Sequence, residues 1–169
     1  MIYVVDNNIF SNIFRNFSQD VFPDIWTPLS KSLQEGKIIS IDEVYCEMEG
    51  TWGNKVESGL WLKEHKKYFQ KPTNEEGYYI CEIFKNKKFR EGIKEKSLRN
   101  GTPEADAMIV AKAKVVNGII VTAEGEKENS EKIPNIASTF GVPYMSRDNF
   151  YKLLRNIHNG RKEYEGVSI

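Results

Sequence analysis

The sequence has little of the residues that carry nucleophilic and soft-metal chemistry. Its 169 residues include 2 cysteines and 2 histidines. Cys46 and Cys81 form no CxxC pair, which excludes a disulfide scaffold and a thiolate zinc cluster and suits a reducing, cytoplasmic setting. His65 and His158 have neither the spacing nor the partners of zinc ligands, and no Ser–His or Cys–His arrangement stands out. Long apolar runs are also missing. Nothing approaches the roughly 20 residues of a membrane helix, and Ile2–Val5 meets Asp6 too soon for a signal-peptide core. Net charge is absent as well, with 24 basic and 24 acidic side chains. That excludes a protein coated in positive charge, but not a local basic patch.

What is present is a core. At 40% hydrophobic and 28% charged, the chain is the length of one domain and can bury its apolar residues. Ile2–Val5 reads as a buried strand, Lys37–Ile41 as a second, Ile119–Thr122 as a third and Val142–Tyr144 as a short edge strand. Between them the spacing predicts helices over 9–17, after Pro23, and after Asp42. Another helix starts at Thr102-Pro103 and stops at Asn117-Gly118, a short one covers 136–140, and a closing one covers 149–157. This alternation predicts a mostly parallel sheet of four to five short strands between helical layers, an α/β/α arrangement. Residues 1–160 read as a single domain with a basic, mainly helical insert at about 55–99. Residues 161–169 read as a loose tail.

In such sheets ligands lie beyond the carboxyl ends of the strands. Asp6 follows the first strand directly, Glu47 lies one turn beyond Glu43 after the second, and Glu124 stands two residues after Thr122 at the end of the third. Asp106 occupies the first turn of the Thr102 helix. Each alone is an ordinary helix-terminus acid. Four converging carboxylates would repel one another unless some are protonated or a cation joins them, and all-oxygen ligation selects Mg²⁺ or Mn²⁺.

Four segments in order carry a resemblance. Tyr3-Val4-Val5-Asp6-Asn7-Asn8-Ile9-Phe10 resembles the opening of PIN domains, and Val44-Tyr45-Cys46-Glu47-Met48 their second motif. Residues 105–113, with Asp106 opening an alanine-rich helix, are similar to the third, and Ile120-Val121-Thr122-Ala123-Glu124 to the fourth. Ile133-Pro134 and residues 140–144 match the closing helix and strand. The chain departs from the pattern in having Glu at 124, where many such nucleases carry Asp, and in its longer basic middle.

The resemblance, to the VapC-like toxins of type II toxin–antitoxin systems, implies a metal-dependent ribonuclease. Asp6, Glu47 and Asp106 would hold Mg²⁺ or Mn²⁺, Glu124 would assist a second ion or orient water, and in-line hydrolysis would leave 5′-phosphate and 3′-hydroxyl ends. Asn8 would orient a carboxylate or cap a helix, Thr122 would place water or phosphate or end the strand, and Glu43 is the substitute for Glu47. Relatives of this type pair with a small antitoxin and dimerise.

The zero charge divides accordingly. Residues 1–62 carry 4 basic and 9 acidic groups, residues 63–99 carry 11 and 6, and residues 100–169 carry 9 of each. Lys85, Lys87, Lys88 and Arg90 of the insert are the candidate RNA contacts, with a solvated helix face as the plainer reading. Trp52 and Trp61 are the aromatics best placed to be exposed for base stacking. The rival functions are a PIN-like binding module without catalysis and a phosphoacceptor or phosphatase domain using Asp6. The dehalogenase-type phosphatase pattern needs a second Asp where this chain has Asn8.

Overall fold

A computed structural model describes residues 1–52, 56–92 and 105–168. Five parallel strands form the centre: β1 (Tyr3–Val5), β2 (Ile38–Ile41), β3 (Phe69–Gln70), β4 (Ile119–Thr122) and β5 (Tyr144–Ser146), in spatial order β3-β2-β1-β4-β5. The helices are α1 (Asn7–Asn16), α2 (Pro23–Gln34), α3 (Asp42–Trp52), α4 (Val56–Glu64), α5 (Asn74–Lys85), α6 (87–92), α7 (Ala105–Val115), α8 (Ile133–Thr139) and α9 (Arg147–His158). The expected α/β fold with a central parallel sheet is the fold found.

β1, β2 and β4 are buried along their whole length, as strands covered on both faces must be. Successive side chains in β1 point to opposite faces. Tyr3 faces α9, its ring 6.4 Å from that of Phe150. The helix α7 packs on β1, β2 and β4 with α5 and α8 beside it, and α2 and α9 pair with each other and cover β2 and the β4–β5 end.

Local chemistry sets the boundaries. Pro23 opens α2, where a missing N–H costs nothing. The Asn117-Gly118 stop falls where expected: Asn117 is left-handed at φ 49°, and Gly118 passes so close to the Ile2 carbonyl that a Cβ would sit 2.9 Å from its oxygen. Ile119 then donates to the same Ile2 carbonyl at 2.9 Å and sets the β1–β4 register. The Thr102-Pro103 start lies outside the described residues, as do residues 53–55 and 93–101 of the insert region.

The middle of the chain differs from a purely helical insert. It supplies β3, whose Phe69 and Gln70 pair with Ser40 and Ile41 at the sheet edge. Two residues are too few for any alternation to register in the sequence. Trp52 and Trp61 are not exposed. They are 3% and 6% accessible and pack edge-on to Phe14 at 4.9 and 5.1 Å, which corrects their reading as stacking platforms.

The tail read as loose folds back on α9. The Asn156 amide donates to the Glu163 and Glu165 carbonyls, Asn149 donates to the Ser168 carbonyl, and the hydroxyls of Tyr164 and Tyr3 are 2.6 Å apart. Among the described residues no helix is long and apolar enough to cross a membrane.

Candidate active site

The chain leaves β1 at Asp6, whose backbone N–H still donates to the Val121 carbonyl of β4 at 3.0 Å. One more residue begins α1, and Asp6 is its N-cap: Oδ1 accepts from the Asn7 N–H at 2.7 Å. Oδ2 accepts from the Thr122 hydroxyl at 3.1 Å. Only 7% of Asp6 is accessible. Burial pushes its carboxyl up to about 8; the charges of Asp106 and Glu124 push the same way, against the hydrogen bonds from Thr122 and Asn7.

Thr122 is fully used. Its oxygen donates to Asp6 and accepts from the Asn8 amide at 3.2 Å and from the Glu124 N–H at 3.1 Å. The Asn8 carbonyl oxygen in turn accepts from the Ala123 N–H at 2.9 Å. Asn8 thus ties α1 to the end of β4, and it meets Asp6 only through Thr122.

The second helix acid is reached from a residue that spacing did not single out. The Asn7 amide donates to Glu47 Oε2 at 3.1 Å, and the Asn7 carbonyl oxygen accepts from the Ser11 hydroxyl at 3.1 Å. Asn7 therefore spans from the residue next to Asp6 to α3. Its only sequence signal is being the second residue of Asp-Asn-Asn. Glu43, four residues earlier on the same helix, is partly buried, and its Oε2 has no hydrogen-bond partner among the described residues.

Asp106 stands in the first turn of α7, partly buried and in electrostatic contact with Asp6. Glu124 is committed elsewhere. Oε1 accepts from Lys132 Nζ at 3.0 Å and Oε2 from the Ile133 N–H at 3.2 Å, so its carboxylate sits on the first turn of α8. Among the described residues no three His, Cys, Asp or Glu side chains are grouped closely enough to share an ion.

These carboxylates suit a hard cation unequally. Asp6 and Asp106 fit: two neighbouring carboxyls, one buried and raised by the other's charge, are what a divalent cation would relieve. The unpartnered Oε2 of Glu43 is a further donor of the right kind. Glu124 does not fit as it stands, because both its oxygens are already bonded.

The four basic candidates are exposed on α5 and α6. Lys85 is 2.5 Å from Glu82 and Lys87 is 3.8 Å from Glu91, while Lys88 donates to Asn129 at 3.4 Å, in the loop that follows β4. No ion pair or hydrogen bond involves the Arg90 side chain among the described residues. The cation that pairs with one of the four acids is Lys132, which nothing in the spacing pointed to.

Known proteins bear on this arrangement as follows. No curated protein matches the chain. A solved structure of VapBC2 from Rickettsia felis, bound to a DNA fragment from its promoter, is 13% identical with a TM-score of 0.49, covering 86% of this chain and 98% of that one. VapBC-1 from nontypeable Haemophilus influenzae is 15% identical with a TM-score of 0.53, covering 88% and 99%. At that identity the second likeness is one of fold, and the fold is PIN-like, as the four motifs led one to expect. A family profile described as a domain of unknown function matches residues 3–157. Over nearly its whole length, then, this chain belongs to the DUF4411 family, built on a PIN-like fold.

Proposed function

We propose that this chain is a metal-dependent endoribonuclease and the toxin half of a toxin–antitoxin pair, acting in the cytoplasm. The observation that carries the reading is the Asp6 carboxyl at the carboxyl ends of the central parallel strands, raised chiefly by its burial and further by the charges of Asp106 and Glu124. Asp6 and Asp106 would hold Mg²⁺ or Mn²⁺, joined by Glu47 or by its substitute Glu43. When bound, the ion supplies positive charge to the phosphodiester undergoing cleavage and acidifies water in contact with it.

The chain's own residues do the positioning. Thr122 and the Asn7 N–H fix both oxygens of Asp6, so that its lone pairs keep one orientation. Asn8 holds Thr122 in turn and is itself held by the Ala123 N–H. Asn7 draws Glu47 toward Asp6 with a neutral donor, adding no charge to the cluster. Lys85, Lys87, Lys88 and Arg90 are proposed RNA contacts. Lys88 has the strongest claim, since its partner Asn129 lies in the loop carrying Lys132. A small antitoxin is the proposed partner, on the likeness to the VapBC-1 structure, and a homodimer is the proposed assembly.

The test is cleavage of a single-stranded transcript by the purified chain in Mn²⁺, in Mg²⁺ and in excess EDTA. Loss in EDTA with recovery on adding metal is expected, and full cleavage in EDTA rejects the proposal. Asn7→Ala should lower the rate by about tenfold to a hundredfold, the usual range for residues that orient a ligand. It should do so chiefly at limiting metal, which a metal titration of the rate would read. The second reading, a PIN-like module without catalysis, draws on the engagement of Glu124 by Lys132 and Ile133. It predicts no cleavage in any metal.

A further inference from the structure

The fourth acidic position already has a cation of its own. Lys132 Nζ lies 3.0 Å from Glu124 Oε1, on a carboxylate side chain only 15% accessible. The lysine is held in place from its own backbone: its N–H donates to the Ser130 hydroxyl at 3.2 Å, and it is the N-cap of α8. The other oxygen of Glu124 accepts from Ile133, a residue with no accessible surface. Turning Glu124 toward an ion would leave that buried N–H without an acceptor and without water to replace it. An ammonium at hydrogen-bonding distance from a largely buried carboxylate gives it the charge that a metal would otherwise have to supply.

We infer that Lys132 is the resident cation of the site: it keeps Glu124 for anchoring α8, and the site takes a single divalent ion, at Asp6 and Asp106. The inference rests on the metal-dependent reading above. It makes Glu124 and Lys132 positioning residues, and it departs from the two-ion arrangement in which Glu124 assists a second metal. Glu124 reaches Asp6 through Thr122, whose hydroxyl accepts from the Glu124 N–H and donates to Asp6. The ammonium offsets the charge that Glu124 lends to whatever cation Asp6 and Asp106 bind, and so weakens its binding.

The test is calorimetric titration of the full chain with Mn²⁺ alone, without RNA. Wild type should bind one ion per chain. Glu124→Gln should still bind one ion, about three- to tenfold more weakly, since the neutral amide keeps the α8 contact but leaves the ammonium without its counter-charge. Lys132→Met should bind one ion about three- to tenfold tighter, the size of one unit charge at several ångströms in a partly solvated site. Lys127→Met, a change of the same charge in the same loop, should shift affinity by less than about twofold.

Two ions in wild type, with one lost in Glu124→Gln, overturn the inference and leave the nuclease reading standing. Equal affinities for Lys132→Met and Lys127→Met also overturn it. A wild-type chain that binds no Mn²⁺ overturns both. Lys132 is 45% accessible at its side chain, so its variant folds even if Glu124→Gln loosens α8.

Discussion

Asp6→Asn is expected to lose RNA cleavage by on the order of a thousandfold or more and, above neutral pH, to be more stable than wild type. Both halves come from the same burial. The carboxylate that would hold the ion is 7% accessible and raised to about 8, so its charged form is costly to the fold. The sign follows from proton binding. The unfolded carboxyl titrates near 3.8 and the folded one near 8, so the folded state binds more protons in between. The stability given by the protonated group is complete below pH 4, declines as pH rises, and is gone once pH has passed 8.

Asn cannot ionise, so its stability carries no such slope. It does cost a hydrogen bond. Thr122 already accepts from Asn8 and Glu124, leaving no lone pair for an amide N–H, while the opposite flip sets that N–H against the Asn7 N–H. That loss is about 1 kcal/mol. Urea unfolding without metal should therefore show wild type ahead of Asp6→Asn at about pH 3.5 and behind it at pH 8.5. The change in their difference should be a few kcal/mol. Parallel pH profiles would mean that Asp6 ionises freely in the folded chain.

The second large effect lies in the ion pair between Lys112 and Glu76. Their side chains are 2% and 3% accessible and 2.7 Å apart. Gln70 accepts from the same ammonium at 3.3 Å, and the Thr73 hydroxyl donates to Glu76 Oε1 at 3.0 Å. The four residues join α7 to α5 and to the end of β3. Thr73 also caps α5 by accepting from the Glu76 N–H, so one glutamate serves both the helix start and the pair.

Lys112→Met leaves Glu76 ionised or protonated against apolar surroundings and should cost about 3–5 kcal/mol. For a chain of this size that corresponds to a fall in Tm of roughly 10 °C. Glu76→Gln should cost a comparable amount by stranding the ammonium. The double variant Lys112→Met/Glu76→Met should recover most of the loss, because two apolar side chains replace a desolvated pair at little net cost. Urea denaturation of the cycle reads this directly. Additive losses in the double variant would show that the pair is not coupled.

Lys112 also marks where reading a sequence stops. In an alanine-rich helix it reads as a solvent-facing base, and nothing local says that Glu76, 36 positions earlier, folds against it. Long-range pairing of this kind is set by packing alone. The same holds for Glu124 and Lys132. Their spacing of eight within a charged loop has no periodic meaning, and the carboxylate's commitment to Ile133 depends on where α8 docks. What was legible rested on local rules. Asp6 at a strand end, the Pro23 start, the Asn117-Gly118 stop and the buried runs of β1, β2 and β4 each follow from backbone chemistry within a few residues. β3 was illegible because it is two residues long. Trp52 and Trp61 were misread because they adjoin the basic insert in sequence, whereas in the fold both pack edge-on to Phe14.

Asp6 and Asp106 are proposed to hold together the ion on which RNA cleavage depends. End-group analysis of RNA cleaved in Mn²⁺ by wild type and by Asp106→Asn decides this. Wild type should give 5′-phosphate and 3′-hydroxyl ends and the variant no products. Cyclic-phosphate ends, or undiminished cleavage by Asp106→Asn, would contradict it.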